Sequence, residues 1–190
     1  MRLFIAVNLP PDEKDRLYRA AAPLRAAGFP VRWVEPDAIH ITLKFLGEVG
    51  EERVTGIRDA IRRVAAEADR FGIGLGGFGA FPDVTRPRVV WAGIAHSAEL
   101  QHVQARVDVE MERLGFPRDS RPFHPHLTLG RAPGDARAAD FRGFAERIAG
   151  LEYGGSLDVH SLDLMQSLLS PRGARYERVL AAELGEGKAA

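Results

Sequence analysis

A four-residue phrase that occurs twice does more than any other feature to limit what this chain can fold into. His40-Ile41-Thr42-Leu43 and His126-Leu127-Thr128-Leu129 both read His, aliphatic, Thr, Leu. On a β-strand successive side chains alternate between faces, so in each copy His and Thr share one face while the aliphatic pair points into a core. Each copy then offers an imidazole and a hydroxyl about 6–7 Å apart, at a rise of roughly 3.3 Å per residue. Two such strands facing one another bring two proton-transfer groups and two hydroxyl donors to one cleft. That set suits phosphoryl chemistry.

The remaining sequence alternates strand-like and helix-like patterns around the two copies. Residues 3–9 alternate as a strand, with Leu3, Ile5 and Val7 on one side. Pro11-Asp12-Glu13 is a helix entry, since acidic groups sit well against the positive end of a helix dipole. Leu17, Ala21 and Leu24 give that helix an apolar stripe, and Gly28-Phe29-Pro30 ends it. Residues 31–34 and 39–46 are strand-like, parted by a turn at Glu35-Pro36-Asp37. Val54, Ile57, Ile61 and Val64 recur at helical spacing. Phe71, Ile73 and Leu75 then alternate until Gly76-Gly77 interrupts them. The glycine-rich stretch 72–79 lacks the Lys-Ser/Thr ending of a P-loop and is expected to be a turn.

The order then repeats. A strand over 88–95 precedes a helix carrying Leu100, Val103, Val107, Met111 and Leu114, stopped by Gly115 and Pro117. The second His-Leu-Thr-Leu strand follows, then a shorter helix around Phe141, Phe144 and Ile148. Strands over 157–164 and 176–181 close the chain, joined through a turn at Ser170-Pro171-Arg172-Gly173, and residues 185–190 are expected to fray. The repeated order suggests an internal duplication, one lobe per motif, with terminal strands free to cross over and complete the other sheet.

The length of 190 residues suits one domain or two intimately packed lobes. A hydrophobic fraction of 45% beside 27% charged residues is that of a soluble globular protein. No apolar run approaches the roughly 20 residues that span a bilayer, and the first residues do not resemble a signal peptide. With no cysteine there is no disulfide framework, zinc-thiolate site or thiol nucleophile. A cytoplasmic location and no membrane contact are expected. The net charge of zero argues against a long nucleic-acid track and is compatible with a local phosphate pocket. Lys14, Lys44 and Lys188 are the only lysines, and the abundant arginine suits phosphate recognition, although a codon preference gives the same bias.

Histidine moves protons near neutral pH. One His on a strand is more often structural; two identical phrases with the same polar face make His40 and His126 the candidate acid and base, with Thr42 and Thr128 as donors. Lys44 shares the face of His40 and Thr42 by strand parity, so it either approaches the phosphates of a substrate or is solvated. Parity sends Arg131 to the face opposite Thr128, unless the strand ends or bulges at Gly130. Phe45 and Phe123 flank the motifs and either stack on a nucleobase or join the core. His124 and His126 form a same-face pair, but zinc needs at least a third ligand and none is close in sequence, so no metal is expected. His96, His102 and His160 lack partners and are taken as structural or exposed.

The two motifs resemble the signature of the 2H phosphoesterases. Their surroundings are similar to the bacterial and archaeal RNA 2′,3′-cyclic phosphodiesterases, also called 2′-5′ RNA ligases. The resemblance runs through residues 2–7, Arg32-Trp33-Val34, His40–Gly47, Phe123–Arg131 and Ser167–Tyr176. It implies one bilobal α+β domain over 1–190, with two pseudo-symmetric antiparallel sheets facing a central cleft and helices on the outer faces. It further implies hydrolysis of RNA 2′,3′-cyclic phosphate ends to 2′-phosphates, with reversible 2′-5′ joining of RNA ends as the related activity. Arg131 occupies the family's arginine position and is expected at the phosphate.

In-line opening of the ring needs a base on water and an acid on the departing O3′, which one neutral and one protonated imidazole provide. His126 is assigned to water and His40 to O3′, while Thr42 and Thr128 hold the non-bridging oxygens. The scheme calls for no cofactor, and the expected partner is an RNA end bound by a monomer. The alternatives are a phosphodiesterase for a small cyclic nucleotide or ADP-ribose cyclic phosphate, and a non-catalytic RNA-end-binding protein.

Overall fold

A computed structural model describes residues 1–171 and 173–185. Strand β1 (Arg2–Asn8) leads into helices α1 (Pro11–Ala20) and α2 (Ala22–Ala26). The single helix expected there breaks at Ala21, because Pro23, at the start of α2, has no N–H to continue the ladder. β2 (Arg32–Trp33) is shorter than the expected 31–34, and a 3-10 turn over Pro36–Ala38 carries the chain into β3 (His40–Glu48). Then come α3 (Glu51–Glu67), β4 (Phe71–Phe81), β5 (Val89–Ile94), α4 (Ala98–Arg113) and β6 (His126–Arg131). A 3-10 turn (Ala138–Phe141), α5 (Phe144–Ala149), β7 (Gly154–Val159), β8 (Ser161–Ser170) and β9 (Gly173–Glu183) complete the order.

The strands run β7-β4-β5-β6-β3-β1-β8-β9, every neighbouring pair antiparallel. This is the expected α+β architecture in two matching halves, β6-β5-β4-β7 and β3-β1-β8-β9, each built outward from its His-Thr strand. The halves meet along β3 and β6, which share one registered pair, Ile41 with Leu127. Beyond it the edge of β6 is taken by β2, whose Arg32 and Trp33 pair with Arg131 and Gly130. Residues 34–39 bow out between β2 and β3. Gly130 allows this close approach: a Cβ there would lie 2.5 Å from Val31 Cγ1 and 3.1 Å from the Arg32 carbonyl.

Three further expectations change. The stretch 72–79 is strand, not turn: β4 runs through it and absorbs the glycines as a register shift between Leu75 and Phe78, with Gly77 at φ 75°. The strand expected over 157–164 is two, since the chain turns at His160 and crosses from β7 in one half to β8 in the other. Gly185 is tied down, its N–H donating to Ala65 O at 3.0 Å; Arg172 of the expected turn and residues 186–190 of the expected frayed end lie outside the described residues.

The main core lies between the sheet and α3 and α4, where Ile57, Ile61, Leu100 and Val107 meet the inward residues of both halves. A second cluster, Leu24, Val90, Phe141 and Phe144 among it, fills the other face of the β6-β5-β4-β7 half under α2 and α5. On the corresponding face of the other half the buried apolar cluster is smaller, Phe4, Ala6 and Met165 with the partly buried Tyr176 against them. Among the described residues no helix is long and apolar enough to cross a membrane.

Candidate active site

Both His-Thr phrases lie where the halves meet. Carrying the Ile41–Leu127 register one residue either way sets His40 opposite Thr128 and Thr42 opposite His126. The two strands are therefore side by side and related by a local two-fold, and their His and Thr side chains share one face of the sheet. A cavity of about 380 Å³ opens on that face, lined by His40, Thr42, Thr128 and Arg131 together with Phe4, Phe45, Ser167 and Tyr176. His126 is outside that lining; it precedes Thr128 by one strand repeat on the same face.

The imidazoles are oriented alike. His40 Nδ1 is 2.8 Å from Ala38 O, and His126 Nδ1 is 2.8 Å from His124 O. A carbonyl only accepts, so each Nδ1 carries a proton and donates it, which leaves each Nε2 for chemistry. His40 Nε2 lies 3.0 Å from Thr42 Oγ1, where a neutral ring accepts the hydroxyl proton. Aromatic walls fix both rings. Phe4 packs against His40 at 4.8 Å between centroids with Tyr176 edge-on at 5.1 Å, and Phe81 stands edge-on to His126 at 5.0 Å.

Burial among these rings pushes the His40 pKa down to about 4; nearby positive charge on Lys14, Arg131 and His126 works in the same direction, against the Ala38 hydrogen bond. His126 is also lowered, again chiefly by burial, with Arg131 and His124 adding to it. Both imidazoles are thus neutral in the free protein near pH 7, and a bound anion is what favours protonating one of them. Lys14 sits behind His40, its ammonium donating to Asp37 O at 2.9 Å beside the 3-10 turn that carries Ala38.

A bulge follows the threonine in each copy. On β3 the pairing with β1 skips Leu43, since Thr42 pairs with Ala6 and Lys44 with Ile5. On β6 the pairing with β5 skips Leu129, since Thr128 pairs with Trp91 and Gly130 with Val90. Each bulge shifts parity by one, so the residue three after the threonine returns to the cleft. That residue is Arg131 in one copy, as the glycine permits, and Phe45 in the other.

Lys44 therefore corrects its expectation. It lies on the helix side at 2% exposure, paired with Asp108 of α4 and donating to Pro117 O at 2.8 Å, and does not reach the cleft. Phe45 is on the cleft at 67% exposure. Hydrophobicity alone would choose the opposite, because leaving a Phe in water forgoes roughly 1.5–3 kcal/mol. Of the two alternatives for Phe123 the core holds: it packs on the main core and is absent from the cavity lining. His124 and His126 gain no third ligand, and among the described residues no cluster of three metal-ligating side chains forms.

Phe4, Tyr176 and Phe81, which wall the two imidazoles, were not singled out by the sequence pattern. Phe4 and Tyr176 lie in segments that carry the family resemblance, which marks the segments without assigning these side chains a task.

Two imidazoles and two hydroxyls placed about a local two-fold, on a duplicated antiparallel sheet, define a two-histidine phosphoesterase-type site. Residues 10–170 match the model of the 2'-5' RNA ligase superfamily, and the chain belongs to that family. It is 34% identical over 176 residues to an RNA 2',3'-cyclic phosphodiesterase of Methanothermobacter thermautotrophicus, covering 93% of this chain and 95% of that protein. To the RNA 2',3'-cyclic phosphodiesterase of Archaeoglobus fulgidus it is 36% identical over 178 residues, covering 93% and 97%. Among solved structures, a Thermus thermophilus protein superposes with a TM-score of 0.83 at 28% identity, over 98% of this chain and all of that one. E. coli LigT complexed with 3'-AMP superposes with a TM-score of 0.75 at 26% identity, over 96% and 97%.

Proposed function

We propose that this protein hydrolyses RNA 2′,3′-cyclic phosphate ends to 2′-phosphates. The observation that carries this reading is the single registered pair that brings both His-Thr phrases onto one face. His126 takes a proton from water as the oxygen attacks phosphorus. The P–O3′ bond breaks in line, and protonated His40 delivers its proton to O3′. Thr42, Thr128 and Arg131 hold the non-bridging oxygens, where charge persists through the transition state. His126 is given the water because its ring is the less buried of the two, whereas His40 lies deep against Phe4 and Tyr176. A 5′-hydroxyl in place of water gives a 2′-5′ linkage by the same displacement. One chain supplies both motifs and Arg131, so a monomer suffices.

Phe45 is the stacking face for the terminal base, exposed beside the phosphate groups. The cavity size of about 380 Å³ suits one nucleotide, and E. coli LigT binds 3'-AMP in a similar fold, which keeps a small cyclic nucleotide as the second reading. Turnover of an RNA end against that of a mononucleoside cyclic phosphate separates the two.

The test is incubation with a cyclic-phosphate-ended RNA in EDTA, with the product terminus identified. A 2′-phosphate is expected, and His40→Ala or His126→Ala should lower kcat by about 10²–10⁴-fold. A 3′-phosphate product, or near-normal turnover in either variant, rules the scheme out.

A further inference from the structure

We propose that Lys44, held from behind by α4, is a positioning residue that keeps Phe45 turned into the cleft. The role assigned to Phe45 rests on the proposed RNA-end substrate; the placement of the side chain does not. Plain alternation along β3 would put Lys44 beside Thr42 and bury Phe45. The bulge at Leu43 reverses both.

The side-chain hydrogen bonds and ion pairs on that bulge come from α4 and the segment after it. Gln104 Nε2 donates to the Leu43 carbonyl at 3.4 Å, and the Lys44 ammonium meets the Asp108 carboxylate and Pro117 O. Asp119 adds a second carboxylate at 3.8 Å. Lys44 and Gln104 are buried at 2% and 8% exposure, so their polar groups depend on these partners. The pairing thus favours an inward lysine over an inward phenylalanine at this point of the strand.

The other motif carries the same bulge with a different lock. There the residue after the bulge is Gly130, pressed beneath β2, and the residue it returns to the cleft is Arg131. One copy delivers a phosphate-binding arm and the other an aromatic face, each fixed by the residue before it. Lys44 and Gly130 are equivalent in place and opposite in chemistry.

The chain has no cysteine, so Phe45→Cys gives a unique thiol whose labelling reports its face of the strand. In an otherwise native background it should react freely with an aromatic disulfide reagent. With Lys44→Met added, labelling should slow by about tenfold or more, since an inward thiol reacts only after local opening. In parallel, Lys44→Met and Phe45→Ala should each raise KM for a nucleoside cyclic phosphate by about tenfold, the scale of a lost base stack. Lys44→Met should then add nothing to Phe45→Ala, and kcat should stay within about threefold. Asp108→Asn and Gln104→Leu should shift labelling and KM the same way, and serve if Lys44→Met does not fold. Unchanged labelling in a folded Lys44 or Asp108 variant overturns the proposal, as does a KM effect that multiplies fully with that of Phe45→Ala. Absence of cyclic-phosphate turnover in the native protein would instead remove the proposed function, while labelling still decides the placement of residue 45.

Discussion

His40 and His126 are held neutral by their surroundings, yet acid–base ring opening needs one of them protonated. The active form of the free protein is therefore the singly protonated one with its proton on His40, the less basic ring. The kcat/KM profile should still trace a bell between the two imidazole pKa values, its height reduced because most of that form carries the proton on His126. On the acid limb both rings are protonated and the base is lost; on the alkaline limb both are neutral and the acid is lost. Because His40 is pushed down to about 4 and His126 below its ordinary 6.5, the maximum should lie on the acid side of pH 6.5. Once the substrate anion is bound it favours the imidazolium, so the kcat profile should sit at higher pH than that of kcat/KM. Initial rates from pH 4 to 9 on a cyclic-phosphate substrate check this, and a kcat/KM that climbs through pH 7 to 9 contradicts it. The His-Thr face was legible in the sequence because it depends on a two-residue period and on nothing distant. The depression of the histidine pKa values was not, since it arises from Phe4, Tyr176, Lys14 and Arg131, which only the fold brings near.

Strand β6 changes partner along one edge, from β3 at Leu127 to β2 at Gly130, and that change keeps the end of the strand in place after its bulge. Gly130→Ala should therefore be costly. The new Cβ would meet Val31 Cγ1 at 2.5 Å and the Arg32 backbone carbonyl at 3.1 Å, and the backbone atom cannot turn aside. A loss of about 1–3 kcal/mol is expected from overpacking, with weaker phosphate binding as Arg131 shifts. Gly134→Ala, with no atom within 4 Å of its Cβ, is the control. Urea midpoints at constant m measure the difference, and equal midpoints would show that β2 packing does not hold this strand end. Most strands and helices could be read from periodicity, and breaks at Gly28, Gly115 and Pro36 from turn chemistry. The bulges could not. Alternation carries no mark of a skipped residue, and the groups that hold Leu43 and Lys44 there lie 61 and 64 residues away, in Gln104 and Asp108 respectively. Strand parity misplaces Lys44 for that reason, and the same parity shift brings Phe45 and Arg131 to the cleft.

Across the whole molecule the two halves share more than their seam. Ile5 and Leu164 from one half and Ile73 and Leu157 from the other belong to one continuous core with Ile61 of α3 and Leu100 of α4. The chain also crosses between halves at His160, and its last described residues return to α3 through the Gly185–Ala65 hydrogen bond. Neither half has a separate core large enough to stand without the other on the α3–α4 side, so unfolding should be a single cooperative event. Trp33 on β2 and Trp91 on β5 both report on the β6-β5-β4-β7 half, whereas far-ultraviolet circular dichroism reports on the whole chain. Urea curves from the two signals should superpose, with one midpoint. Ile41→Ala, at the one registered contact of the seam and fully buried, should cost about 2–5 kcal/mol and move both curves together. A dichroism transition that precedes the tryptophan transition would mean that the β3-β1-β8-β9 half melts alone, and that the molecule is two domains sharing one site.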